Sequence, residues 1–406
     1  MAIWTPIGSA FVYSAHADGD PVPVGQIAIQ ARGFAFRYAN SWLASPESFA
    51  LDPLNLPLSE QQLSSPKLWG AFEDSTPDNW GRKVLLATHK QHPQNEIEWL
   101  LASRGAGVGC LLFSASRHQL PPLHEAPPFE ILEKLLLAAE QIDQGNYHPS
   151  DEMAKLLEYG SSMGGARPKV TVHFRGGEWI AKLGRRDDIF DQARAEFATL
   201  NMAEAAGVVV PEHELLEVAG RAVLLVKRFD RQRAGRSHYL SAYASINTHR
   251  MRVGDNDGPM SYLRIADVLK KISDDALEDL GDLYRRMAFN VLIGNTDDHL
   301  RNHGCLMVGT GTYRLSPAFD LIPHPNEPGL QALIIGQQGR LSTLDNLLSA
   351  PERFGLHRDQ AKQIIVDIGN VTERADQFLK DAGMNAQDIA VLSQVCQRFN
   401  TQIRSW

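Results

Sequence analysis

Cysteine is scarce in this 406-residue chain: Cys110, Cys305 and Cys396 are the whole complement. They are odd in number and far apart, which excludes a disulfide framework and any metal-binding spacing. We expect them reduced and mostly buried, as in a cytoplasmic protein. The opening MAIWTPIGSAFVYSAH has no basic segment followed by a long apolar run, so it does not read as a signal peptide. No apolar stretch reaches the length of a membrane span, and no membrane partner is expected. Internal repeats and low-complexity tracts are missing too, which argues against a solenoid or an array. Positive charge is not in excess: the formal net charge is -8. That argues against a surface that coats nucleic acid, though not against a local basic patch or DNA reached through a partner. The pattern G-x-x-x-x-G-K-S/T is absent, so a Walker A phosphate loop is excluded.

What is present fits a folded chain of more than one domain. Apolar residues make up 43% and charged residues 22%, and 406 residues is long for one core. Near the start, Phe11 to Tyr13, Gly25 to Ile29 and Phe34 to Tyr38 read as strands, and Ser41 to Pro66 as loops and short turns. Asp74 is placed to cap one turn and Asp78 the next helix, with Trp80, Val84 and Leu85 facing inward. Glu96 to Ser103 reads as a short helix, stopped by GAGVG, and CLLFSA as a strand. The Pro-rich stretch from Leu120 to Pro128 marks the first composition shift. A helix over Glu130–Ile142 and another over Asp151–Tyr159 follow. Strands then begin near Val170 and at Trp179, the latter presenting Lys182. A long helix over Gln192–Ala206 contains Glu196. After Ala222 to Arg228 the chain is mostly helical, with one helix over Arg358–Asp381. Its Ile364, Ile365, Ile368, Val371, Ala375 and Phe378 form a stripe suited to core packing. We therefore expect an α+β protein divided into residues 1–125 (small and β-rich), 126–240 (nucleotide-binding) and 241–406 (helical).

One stretch carries most of the chemistry: FNVLIGNTDDHLRNHGCLMVGTGTYRLSPAFD, Phe289 to Asp320. An apolar run delivers Asn295, Thr296, Asp297, Asp298 and His299, and Asn302 lies five residues beyond Asp297. Phosphoryl transfer requires a carboxylate to orient and deprotonate a hydroxyl, with an amide and a second carboxylate to hold Mg²⁺. The Asp297–Asn302 spacing equals the protein-kinase D-x-x-x-x-N element. Asp297 then serves as base, with Asn302 and Asp320 as metal ligands. The bland alternative is an Asp that caps a turn. His299 reads as structural or orienting, and Asp298 as solvent-facing. Lys182 sits in the apolar frame WIAKL, where an unpaired cation would be costly; a triphosphate would offset it. Glu196 is a candidate partner, with a surface ion pair as the alternative. Gly164, Gly165 and Ala166 permit close backbone approach to phosphate, and a plain turn is the alternative. Lys169 could point at phosphate or at solvent. Ser161 and Ser162 are hydroxyls that phosphorylation would turn into charged acceptors beside an anion site.

These segments together resemble the HipA family of toxin-type serine/threonine kinases. The likeness lies in SSMGGARPK (161–169), WIAKLG (179–184), LVKRFDR (225–231), GNTDDHLRN (294–302) and LSPAFDL (315–321). It extends to the N-terminal VGQIAI, FAFRYANSWLA and FEDSTPDNWGR. It runs from about residue 10 to 400, and it implies a two-lobed, protein-kinase-like fold using ATP and Mg²⁺. Asp297 corresponds to the family's catalytic Asp, Asn302 and Asp320 to its metal pair, and Lys182 to its ATP-contacting Lys. Gly164 to Lys169 correspond to its phosphate-side loop, from which Arg167 and Pro168 depart. Ser162 corresponds to its autophosphorylated serine, with Ser161 as the adjacent choice. The resemblance further implies phosphorylation of a translation-related protein such as an aminoacyl-tRNA synthetase. It also implies a small helix-turn-helix antitoxin (HipB-like) that carries the DNA contact, and a dimer within that complex. The alternatives are a small-molecule kinase on the same scaffold and a non-catalytic corepressor with a vestigial ATP site.

Overall fold

The computed structural model describes residues 7–89, 92–120, 125–145, 157, 167–185, 187–232, 235–246, 258–325 and 329–406. They fall into two compact units. One comprises Met1–Arg185, Lys227–Ser245 and Leu306–Gly311; the other comprises Arg186–Val226, Ile246–Cys305 and Thr312–Trp406. The backbone enters each unit more than once.

In the first unit, β1 (Ser9–Ser14), β2 (Val22–Gln30), β3 (Gly33–Tyr38), β4 (Leu63–Ser65) and β5 (Leu111–Ser114) form one sheet in the order β4-β3-β2-β1-β5. All its pairings are antiparallel. The strands expected from the alternating segments are all there. A sheet covered on one face needs apolar residues at every second position, and Val12, Val24, Ile27 and Phe36 are fully buried. Gly25 is required where β2 crosses Phe36, because a Cβ there would lie 2.7 Å from the Phe36 ring and 2.4 Å from Arg37 O. The segment 41–66, expected as loops and turns, holds a single helical turn at Asn40–Leu43 besides β4.

The helices of this unit are α1 (Asn79–Thr88), α2 (Glu96–Ala102) and α3 (Leu132–Asp143). Asp78 caps α1 as expected, accepting from Gly81 N at 2.6 Å, while Trp80, Val84 and Leu85 are buried. Asp74 behaves differently. It closes the preceding turn rather than opening one, and its carboxylate accepts from Ser241 N and Ser241 Oγ at 2.7 Å each. The helix expected at 151–159 lies outside the described residues apart from Leu157. A hairpin of β6 (Lys169–Phe174) and β7 (Gly177–Leu183) follows. Its two-residue turn, Arg175–Gly176, has positive φ at both positions, the twist that suits a tight hairpin.

LVKRFDR supplies an internal brace. Arg228 and Arg231 both engage Asp230 Oδ2, at 2.8 and 2.6 Å, and both reach Glu178. Asp230 also accepts from Gly109 N at 2.8 Å, and the two arginines donate to Gly107 O. Burial would raise the Asp230 carboxyl, but the surrounding guanidinium charges hold it well below the usual carboxylate range. These ionic groups satisfy backbone atoms of the GAGVG turn that would otherwise be buried unpaired.

The second unit is mainly helical. It contains α4 (Gln192–Ala205) and the antiparallel pair β8 (His213–Val218) and β9 (Arg221–Lys227), joined through Ala219–Gly220 at positive φ. α5 (Tyr262–Ile272) and α6 (Ala276–Ile293) pack together, and α7 (Arg358–Thr372) covers α6. The single helix expected over 358–381 is two: α7 ends at Thr372 and α8 (Ala375–Asp381) restarts after Glu373 and Arg374. The Glu373 carbonyl is taken by Gln397 Nε2 at 2.8 Å, a side-chain partner at the break. Ile365, Ile368, Val371 and Ala375 of the stripe are buried as expected.

All three cysteines are free and buried, and burial pushes each thiol up to about 12. Among the described residues no helix is long and apolar enough to cross a membrane. Cys110 lies 3.5 Å from His238 Nδ1, and His238 Nε2 donates to Leu51 O at 2.8 Å. Burial lowers the His238 imidazole from 6.5 to about 4. A folded-state value below the unfolded one gives stability that is complete above pH 6.5 and lost as pH falls towards 4. His238 should account for about 3 kcal/mol of that loss. Urea unfolding at pH 7 and pH 4 should show it. His238→Gln, which keeps a donor for Leu51 O, should flatten the pH dependence; an unchanged slope would remove His238 as its source.

Candidate active site

The central loop begins where α6 stops. Gly294 ends the helix in the left-handed region at φ 71°, and a Cβ there would sit 2.5 Å from Val395 Cγ1. No other residue meets both demands cheaply. The loop is then clamped at its backbone: Asn295 N donates to Asn290 O at 2.9 Å, His324 N to Gly294 O at 3.0 Å, and Ala332 N to Thr296 O at 3.0 Å. Asp297 emerges exposed at its apex, between buried Thr296 and buried Asp298. A turn at Leu300–Asn302 brings Asn302 back inside, 8% exposed.

Asp298 is not solvent-facing. It is 2% exposed. Its carboxylate accepts from the Tyr262 hydroxyl and from His303 Nε2 at 3.0 Å to Oδ1 and 3.1 Å to Oδ2. Burial and the Asp298 charge push the Tyr262 hydroxyl well above its ordinary value, so it stays a donor. Tyr262 Oη accepts in turn from Asn290 Nδ2 at 3.1 Å. Asn290 Oδ1 accepts from Asn295 Nδ2 at 3.0 Å, and the same Asn295 Nδ2 reaches Asp320 O at 3.3 Å. Asp320 is one of four non-glycine residues at positive φ among the described residues, at 62°. Its neighbour Leu321 is held through its carbonyl by Thr199 Oγ1. Strain of this kind persists only where surrounding contacts over-determine it.

The second unit thus carries Asp297, Asn302 and Asp320 on one braced loop system, with Glu196 buried on α4. His299 is half-buried, and its Nδ1 is buried without a hydrogen-bond partner among the described residues. The lysines lie in the first unit. Lys169 and Lys182 are direct antiparallel partners of β6 and β7 and so share a face of the hairpin. Lys182 is half-buried. Lys169 does not point at solvent: it is 4% exposed, with Nζ 3.3 Å from Asp78 Oδ2. Its carbonyl accepts from Trp80 Nε1 at 2.9 Å. Burial raises the Asp78 carboxyl, against the pull of Lys169. Ser161, Ser162, Gly164, Gly165 and Ala166 lie outside the described residues.

The donors suit a hard cation. A carboxylate and an amide offer oxygen, and Mg²⁺ commonly takes one or two such ligands and completes its shell with phosphate and water. Among the described residues no three His, Cys, Asp or Glu side chains form a ready cage; a site completed by substrate phosphates needs none.

Sequence reasoning missed Tyr262, Asn290 and His303. Asn290 did carry a signal. A polar side chain inside the apolar run MAFNVLI must be buried, and a buried amide needs partners.

The left-handed backbone at 320 gives a test independent of activity. Asp320→Ala and Asp320→Gly both remove the carboxylate, but only glycine adopts this φ without cost. The glycine variant should be more stable than the alanine variant by about 1 kcal/mol in urea unfolding. Equal stabilities would mean that the backbone at 320 is relaxed.

Comparison with known proteins bears on this geometry. Residues 161–375 match the family model of the HipA-like C-terminal domain, and residues 17–114 that of the HipA N-terminal domain. A putative kinase of Haemophilus influenzae is 25% identical over 265 residues, 56% of this chain and 77% of that protein. The putative kinase Y4mE of Sinorhizobium fredii is 24% identical over 357 residues, 79% of this chain and 80% of its own. The HipA chain in a Shewanella oneidensis MR-1 complex of HipA, HipB and operator DNA superposes with a TM-score of 0.69 at 18% identity, covering 97% of both chains. That likeness shows the fold: α+β, with β-sheets in the N-terminal region and a mostly helical C-terminal region. With a C-terminal match over more than half of its length and an N-terminal match ahead of it, this chain belongs to the HipA family of kinases.

Proposed function

We propose that this chain is an ATP- and Mg²⁺-dependent kinase acting on a serine or threonine hydroxyl of a protein. The observation that carries this reading is the exposed Asp297, on the same loop as Asn302 and flanked by the buried Asn295, Thr296 and Asp298. A general base has to be accessible to its substrate and fixed in place, and a loop clamped at Asn295 and Thr296 supplies both conditions. Asp297 takes the hydroxyl proton as the oxygen attacks the γ-phosphorus, the bond to the bridging oxygen breaks, and ADP leaves. Asn302 and Asp320 are the side chains that would hold Mg²⁺, which when bound neutralises charge on the β- and γ-phosphate oxygens. Lys182 is the lysine assigned to the α- and β-phosphates, and Glu196 is assigned a structural or orienting role. Lys169, on the same hairpin face, and the backbone of Gly164, Gly165 and Ala166 belong to the phosphate side. His299 orients the loop.

The finer parts of the reading rest on family membership. The substrate is a translation-related protein such as an aminoacyl-tRNA synthetase, and Ser162, or the adjacent Ser161, is the site of autophosphorylation. A HipB-like helix-turn-helix antitoxin is the expected partner, supported by the HipA, HipB and operator DNA composition of the Shewanella complex. DNA contact through that partner, in a complex containing a dimer, accords with a net charge of -8.

Phosphoproteomics after brief induction of wild type and Asp297→Asn reports substrate and self-modification together. Phosphosites should appear with wild type and not with the variant. With purified protein and labelled ATP, Asp297→Asn should lower transfer by about 10²- to 10⁴-fold while leaving nucleotide binding intact. Full transfer by the variant would defeat the assignment of the base. Label appearing only in small molecules would favour a small-molecule kinase.

A further inference from the structure

We propose that Tyr262, Asp298 and His303 are positioning residues for phosphoryl transfer, joined through Asn290 and Asn295 into one buried hydrogen-bonded chain that ends on the carbonyl of Asp320. This rests on the kinase reading and extends it to residues that none of the family motifs above assigns a role.

The connectivity is continuous. Asn295 Nδ2 donates to Asp320 O and to Asn290 Oδ1, Asn290 Nδ2 donates to Tyr262 Oη, and the Tyr262 hydroxyl donates to Asp298. His303 Nε2 closes the other side of the same carboxylate. The five linked side chains, Asn295, Asn290, Tyr262, Asp298 and His303, are each at most 2% exposed. From Asn295 through Asn290 and Tyr262 to Asp298 the donors run in one direction, an arrangement in which each bond strengthens the next, while Asn295 also donates the other way to Asp320 O and His303 donates to Asp298 from its far side. Tyr262 is itself fixed, since its backbone N donates to Ile334 O at 3.0 Å.

Placement is what suggests a role beyond stability. Asp298 is the residue after Asp297, His303 is the residue after Asn302, and the far end of the chain is the backbone of Asp320. Asp297, Asn302 and Asp320 are therefore each one peptide unit or less from a link. A shift of one link moves the base relative to the metal ligands, and transfer is sensitive to such displacements. Groups that orient metal ligands from behind commonly change metal affinity or activity 10- to 100-fold when removed.

The test compares wild type with Tyr262→Phe, His303→Leu and His303→Gln, all as full-length protein. It measures kcat and KM for ATP, Mn²⁺ affinity in the presence of a non-hydrolysable ATP analogue by electron paramagnetic resonance, and thermal midpoint. Tyr262→Phe loses only a hydroxyl. It should lower kcat about 10- to 100-fold and weaken Mn²⁺ binding about 10-fold, with KM for ATP little changed. His303→Gln keeps an N–H near the Nε2 position and should recover most of what His303→Leu loses. A role in stability alone would lower the thermal midpoint while leaving kcat and Mn²⁺ affinity at wild-type values. That outcome in folded Tyr262→Phe and His303→Leu would overturn the inference while the kinase reading stood. Wild type that neither transfers phosphate nor takes up Mn²⁺ would sink both.

Discussion

A carboxylate buried at the heart of the second unit sets the terms for its loop. Asp298 cannot be placed among apolar helices without donors, because an unpaired charge there would cost several kcal/mol. The hydroxyl of Tyr262 at the start of α5 and the imidazole of His303 beyond the loop supply them. Meeting that demand fixes the loop's path: with Asp298 turned inward and Gly294 forcing a left-handed exit from α6, the intervening residues close in a tight arc. Asp297 is the one acidic residue of that arc left facing outward. The exposure of the proposed base thus follows from the burial of its neighbour.

The same logic recurs in the first unit with different groups. GAGVG is a glycine-rich turn, and its backbone atoms lie near the core. Three of its residues meet the Arg228–Asp230–Arg231 group through N–H and C=O contacts. Replacing a buried ion group by apolar residues is often tolerated, but removing one member leaves an uncompensated charge. LVKRFDR is thus best understood as structural, although it contributes to the family likeness as clearly as the motif carrying Asp297.

Strands and helices were largely legible along the chain, for a plain reason. Alternating segments such as Phe34 to Tyr38 and periodic ones such as Glu130 to Ile142 carry their own pattern, and neighbours need only supply a surface to cover. The failures lie where a distant residue decides. The stripe from Ile364 to Phe378 predicts one helix, yet a side chain from Gln397 meets the Glu373 carbonyl where the helix breaks. Asp74 sits before a polar, turn-rich stretch and looks like a cap, but Ser241 claims its carboxylate. Asp298 and Asp297 are identical in type and adjacent, and local pattern offers no means of telling which one turns inward.

By itself the sequence determined the order of elements, the family and the residue types that chemistry would use: one strand lysine, an Asp and Asn five apart, and a further Asp after a strand. Those depend on spacing along one dimension and on composition. Only the tertiary structure decided which of two adjacent carboxylates is exposed, that Lys169 is matched by Asp78 rather than by water, and that Tyr262 stands behind the loop. Each of these is a question of desolvation and of partners brought from 36 to 91 residues away, and the cost of burying a polar group is set by what surrounds it once the chain has closed.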